Sequence, residues 1–89
     1  MVTIVKRRGH TQEFDERKVY ASAYAACLNV HLSETEAENI ANSVTEAVKS
    51  WLGQKEKVSS QEIFEKVKDE LENHNTHAAF MYQTHRDIS

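Results

Sequence analysis

Eighty-nine residues make one small domain with a modest core, too small for a deep cleft between two domains. Charged and apolar contents are ordinary for a globular protein, and no apolar run approaches the ~20 residues that span a bilayer. The net charge of −3 is uneven: residues 1–20 hold five Lys/Arg against three Asp/Glu, and the rest six against eleven, which suggests a local anion site more than a nucleic-acid coat.

Met1 to Val5 is too short for the apolar core of a secretion signal, so the cytoplasm is the expected compartment. Val2, Thr3, Ile4 and Val5 favour a strand. Arg8-Gly9-His10 then reads as a tight turn, and Thr11 to Phe14 as a returning strand. The predicted N-terminus is a β-hairpin, residues 2–14, with a basic turn.

Asp15 is a good N-cap for a first helix over about 15–29, with Phe14 and Val19 as a hydrophobic staple. Val19, Ala23, Ala26 and Val30 recur at helical spacing, and Tyr20, Tyr24 and Cys27 widen that face. Ser33-Glu34-Thr35-Glu36 is a capping box for a second helix over 33–52. Its stripe runs Ala37, Ile40, Ala41, Val44, Ala47, Val48 and Trp51, and Gly53 fits the position just past its end.

Val58 can form a brief third strand. Ser59-Ser60-Gln61-Glu62 is a second capping box, with Val58 and Ile63 placed as a staple. Ile63, Val67 and Leu71 line a third helix over 60–72. Asn73 to Thr76 breaks it, and a fourth follows over 76–86. The predicted fold is α+β and mostly helical: a small hairpin capping a four-helix bundle, one domain over residues 1–89.

Lys6-Arg7-Arg8-Gly9 is the most informative run. Fixed cations combined with backbone N–H groups recognise phosphate, and a basic turn leading into a helix N-terminus supplies both. Lys18, one turn into that helix, can join them. By spacing alone the run fits a solvated turn as well. His74 and His77 are three apart but lack a well-placed third partner, so they read as surface histidines rather than zinc ligands. Cys27, the sole cysteine, lies on an apolar face and reads as core. That count excludes an intrachain disulfide and a Cys-rich zinc site. No nucleophile–base pair, P-loop or dinucleotide fingerprint is present, so an enzyme is not expected.

The order of these features resembles the ATP-cone domain. Ile4-Val5-Lys6-Arg7-Arg8-Gly9, then Phe14-Asp15 and Lys18-Val19, is similar to that family's opening. Val58-Ser59-Ser60 before Glu62-Ile63 resembles its entry to the third helix, and Ala79-Phe80-Met81-Tyr82 with Arg86 its ending. The resemblance covers residues 2–86 and implies a regulatory domain that binds ATP or dATP between a sheet cap and the helices, with Mg2+ able to accompany the triphosphate. It implies control of ribonucleotide reductase, or of its genes through a zinc-ribbon repressor.

The nucleotide-binding residues so implied are Ile4 beside the base, Lys6, Arg7 and Lys18 at the phosphates, Ser60 near the nucleotide, and Arg86 closing the phosphate end. Arg8 stands where an acidic residue is usual. Gln12 stands where a glutamate often reads adenine or ribose, and His85 replaces a final tyrosine. With neither ribbon nor reductase barrel in the sequence, the module is expected to act in trans or as part of a longer chain. Expected output is nucleotide-dependent self-association or docking to a reductase or related regulator, through a surface where Trp51 and Tyr82 look exposed. The rival reading is a helical nucleic-acid-binding or protein-interaction module that binds no nucleotide.

Overall fold

A computed structural model describes residues 3–5 and 11–84. Four helices dominate: α1 (Glu16–Asn29), α2 (Glu34–Leu52), α3 (Ser60–His74) and α4 (Thr76–Thr84). Three short strands accompany them: β1 (Thr3–Val5), β2 (Thr11–Glu13) and β3 (Lys57–Ser59). The strand order is β2-β1-β3. β1 pairs antiparallel with β2, Thr3 opposite Glu13 and Val5 opposite Thr11. It pairs parallel with β3, Thr3 opposite Lys57 and Val5 opposite Ser59. The predicted turn Arg8-Gly9-His10 lies outside the described residues, as do His85 and the predicted end of the fourth helix at residue 86.

The helices share one core. Small residues let α1 and α2 approach closely: Ala23 and Ala26 on α1, Ala37 and Ala41 on α2, all buried. Val44, Val48 and Leu52 continue the α2 stripe, while Val67 and Leu71 bring in α3 and Ala78 and Ala79 bring in α4. Ile4 and Val58 add the sheet to the same cluster. Cys27 is fully buried among these groups, and burial raises its thiol pKa, so it is a small core residue.

Local chemistry sets the helix ends. The Asp15 side chain accepts the Arg17 N–H and caps α1. α1 ends in a Schellman motif: Leu32 N–H donates to the Cys27 carbonyl at 3.2 Å, and His31 N–H to the Leu28 carbonyl at 3.0 Å. His31 takes the left-handed conformation, φ 66°, that glycine usually supplies there. At α2, Ser33 accepts the Glu36 N–H, but the Glu36 carboxylate takes the Ser33 hydroxyl, so only half of the expected capping box forms.

Three expectations change. Gly53 caps α2 in the right-handed helical region, φ −59°, because the chain continues into further turns (Gln54 N–H to Trp51, Lys55 N–H to Leu52) rather than reversing. α3 runs to His74, two residues beyond its expected end. The break narrows to Asn75, whose N–H donates to the Leu71 carbonyl and whose side chain accepts the Ala78 N–H, so it stops one helix and caps the next. Finally, Trp51 is half-buried under the Lys55 ammonium, 4.9 Å from the ring centroid, and Tyr82 is half-buried and stacked on Phe64. Among the described residues, the exposed large apolar ones are Phe80, 62% exposed, and Leu28, 38%.

Candidate functional site

β1, α1, α3 and α4 enclose a cleft of about 150 Å³. Ile4 enters from β1, and Phe14, Asp15, Lys18, Val19 and Ser22 from the start of α1. Ser60 and Ile63 come from the first turn of α3, and Tyr82 from α4. Asp15, Lys18, Val19 and Ser22 stand at i, i+3, i+4 and i+7, one face of a helix. The lining divides chemically. Apolar groups come from Ile4, Val19 and Ile63, and a carboxylate, an ammonium and two hydroxyls from Asp15, Lys18, Ser22 and Ser60.

Two helix N-termini meet here. Asp15 caps α1, and Ser59 caps α3 one residue before Ser60. Each helix start carries a partial positive charge and N–H groups without partners inside the helix, an arrangement that favours an anion. The start of α3 is held rigidly by the full capping box predicted at this point: the Glu62 N–H donates to Ser59 Oγ at 3.0 Å, and the Ser59 N–H to the Glu62 carboxylate at 3.1 Å. Lys18 is exposed and forms no ion pair with any described residue.

Asp15 is tied more closely. Its Oδ1 accepts the Arg17 N–H at 3.0 Å and Nε–H at 3.1 Å, and its Oδ2 accepts a guanidinium N–H at 3.2 Å. These hydrogen bonds from Arg17 hold the Asp15 carboxyl below the usual carboxylate range. The cleft therefore carries a fixed negative group at its α1 rim beside the Lys18 cation.

Of the residues that the sequence points to, Ile4, Lys18 and Ser60 line this one cleft. Gln12 lies in β2 with its backbone opposite Ile4. Lys6, Arg7, Arg8 and Arg86 lie outside the described residues. Asp15, Ser22 and Tyr82 line the cleft without having been singled out for it. The helical spacing from Lys18 could have found the first two, but Asp15 was already explained as a cap.

A larger cleft of about 280 Å³ lies between Phe14, Glu16, Lys49, Leu52 and Gly53. Its two charged side chains pair with each other, Lys49 Nζ to a Glu16 oxygen at 2.8 Å, so it presents little charge to a ligand. His74 closes α3 and His77 opens α4, so the pair does not share a helix. Among the described residues no three His, Cys, Asp or Glu side chains group as metal ligands. No described helix is long and apolar enough to cross a membrane.

The family model of the ATP cone domain matches residues 2–88. No curated protein matches the sequence. ATP cone domains are regulatory modules that bind adenine nucleotides. Over nearly the whole of its length, this chain belongs to the ATP cone domain family.

Proposed function

We propose that this domain binds ATP or dATP reversibly in the cleft between β1, α1 and α3, as an effector and not as a substrate. The observation that carries the reading is the convergence of Ile4, Lys18 and Ser60 on a cleft fed by two helix N-termini. The adenine would lie beside Ile4. The phosphates would lie toward Lys18 and Ser60.

Chain direction supports that polarity. Lys6 and Arg7 follow Val5 directly, and Val5 is paired with Ser59, the cap of α3. A triphosphate brings about four negative charges, which Lys6, Arg7, Lys18 and Arg86 together offset, with Arg8 adding to the basic turn and Mg2+ able to accompany the ligand. Gln12 would read the base or sugar. Binding between the hairpin and the bundle would fix the hairpin against α1 and α3.

Such fixing by an effector is a differential contact, the requirement for allosteric control. The proposed output is nucleotide-dependent association in the cytoplasm, either with itself or with a ribonucleotide reductase or a related gene regulator, with the module acting in trans or within a longer chain. Among the described residues, Phe80 and Leu28 are exposed apolar groups suited to such docking.

Titration calorimetry with ATP, dATP and GTP tests the binding step. The expected result is saturable binding of an adenine nucleotide with weaker binding of GTP. Absence of heat with both ATP and dATP would reject the proposal. Elution volumes on a sizing column with and without nucleotide test the output.

A further inference from the structure

We propose that Asp15 accepts a hydrogen bond from a sugar hydroxyl of the bound nucleotide, and so sets how the domain ranks ribose against deoxyribose. The inference rests on the nucleotide reading of the cleft and adds a specificity residue to it.

The cleft has two chemically opposite ends. Glu13 pairs with Thr3 at the start of β1, and Ser59 with Val5 at its finish. Asp15 comes two residues after Glu13, and Ser60 directly after Ser59, so in the chain the two lie beyond opposite ends of a strand about 7 Å long. At the Ser60 end the start of α3 carries a neutral cap, Ser59. At the other end the start of α1 is already capped by an anion, Asp15. A phosphate is repelled there, while a hydroxyl donor is attracted.

Spacing narrows the choice of donor. Lys18 is one turn from Asp15, about 4.5 Å along the helix axis. That separation is comparable with the distance from a sugar hydroxyl to the first phosphate of one nucleotide. A phosphate engaged by Lys18 thus leaves the sugar within reach of Asp15, which lines the same cleft.

Asp15 has the capacity to receive such a bond. An ionised carboxylate offers about four acceptor sites. Among the described residues, two hydrogen bonds fall on Oδ1 and one on Oδ2, all from Arg17, which leaves Oδ2 able to accept another. Arg17 also fixes the orientation of the group and keeps it ionised, hence purely an acceptor. The side chain remains 32% exposed at the rim, within reach of a ligand.

The test is calorimetric binding of ATP, 2′-deoxy-ATP, 3′-deoxy-ATP and inosine triphosphate to the wild type and to two variants that keep a good helix cap, Asp15→Ser and Asp15→Asn. In the wild type, one of the two deoxy analogues should bind roughly ten-fold or more weakly than ATP, the size of effect expected for a lost charge-assisted hydrogen bond. Asp15→Ser, which withdraws the acceptor, should bring that ratio within about two-fold, and Asp15→Asn, which removes the charge, should give an intermediate ratio. Equal binding of ATP and both deoxy analogues by the wild type would overturn the inference and leave nucleotide binding standing. So would an unchanged ratio in Asp15→Ser, or loss in that variant of discrimination against inosine triphosphate alone. Failure of the wild type to bind any triphosphate would overturn the underlying reading instead.

Discussion

Ser59 and Glu62 exchange hydrogen bonds, each side chain accepting the other's backbone N–H at 3.0 to 3.1 Å. This fixes the first turn of α3, and with it the Ser60 wall of the cleft. Ser59→Ala should cost about 1 kcal/mol, which lowers the melting temperature by roughly 4–8 °C in a domain of this size. Glu62→Gln should stay close to the wild type, because glutamine can make the same reciprocal bond. Thermal unfolding followed by circular dichroism checks both.

Thr45 is buried on α2, and its hydroxyl has no described hydrogen-bond partner. Valine has nearly the same shape and carries no polar atom to desolvate. Thr45→Val should therefore stabilise the domain by about 1 kcal/mol, read as a higher urea midpoint at unchanged slope.

His31 occupies the left-handed position of the Schellman motif that ends α1. Glycine removes the steric strain there while adding freedom to the unfolded chain. The first effect, about 1–2 kcal/mol, exceeds the second, about 0.5–1 kcal/mol. His31→Gly should gain up to about 1 kcal/mol, whereas His31→Val should lose stability, because a β-branched residue tolerates positive φ poorly. Parallel urea titrations distinguish the two.

Acid should expose the Asp15–Arg17 pair. The folded carboxyl titrates below its ordinary value of 3.8. Its contribution to stability is present in full above that value, and it is lost as pH falls through the lower folded pKa. Between about pH 5 and pH 2, Asp15→Asn should lose less stability than the wild type. Melting temperatures measured across that range check the sign.

If phosphate sits at the Lys18 end, Lys18→Gln should weaken ATP binding several-fold, and Arg7→Ala by more than ten-fold, the loss expected for a charge-assisted contact of roughly 1.5–3 kcal/mol. The Lys18→Gln loss should shrink at high ionic strength, because that side chain is exposed. Calorimetry at two salt concentrations measures this.

Much of the helical frame was legible because its signals are local. Asp15, Ser33 and Ser59 announce helix starts within four residues, and the α2 stripe from Ala37 to Val48 is a periodicity. Long-range facts were less accessible. The bare sequence allowed a strand near Val58, but nothing near Val58 says that its neighbour is β1 or that the two run parallel. Trp51 and Tyr82 looked exposed because their partners, Lys55 and Phe64, are set by side-chain direction and by the packing of one helix on another. Within the cleft, the resemblance pointed to Ile4, Lys18 and Ser60. Asp15 escaped notice because its capping role already accounted for it.

The parallel pairing of β1 with β3 has a bearing on how the domain breathes. It joins segments separated by more than half the chain, and the cleft draws its walls from both of them as well as from α1 and α4. No local fragment contains the site, so excursions that detach β1, the start of α3 or α4 dismantle it. A ligand that binds only the closed arrangement lowers the population of every such excursion together. Its footprint in amide hydrogen exchange should then be broad slowing across the core of α1, α3 and α4, far wider than the residues it touches.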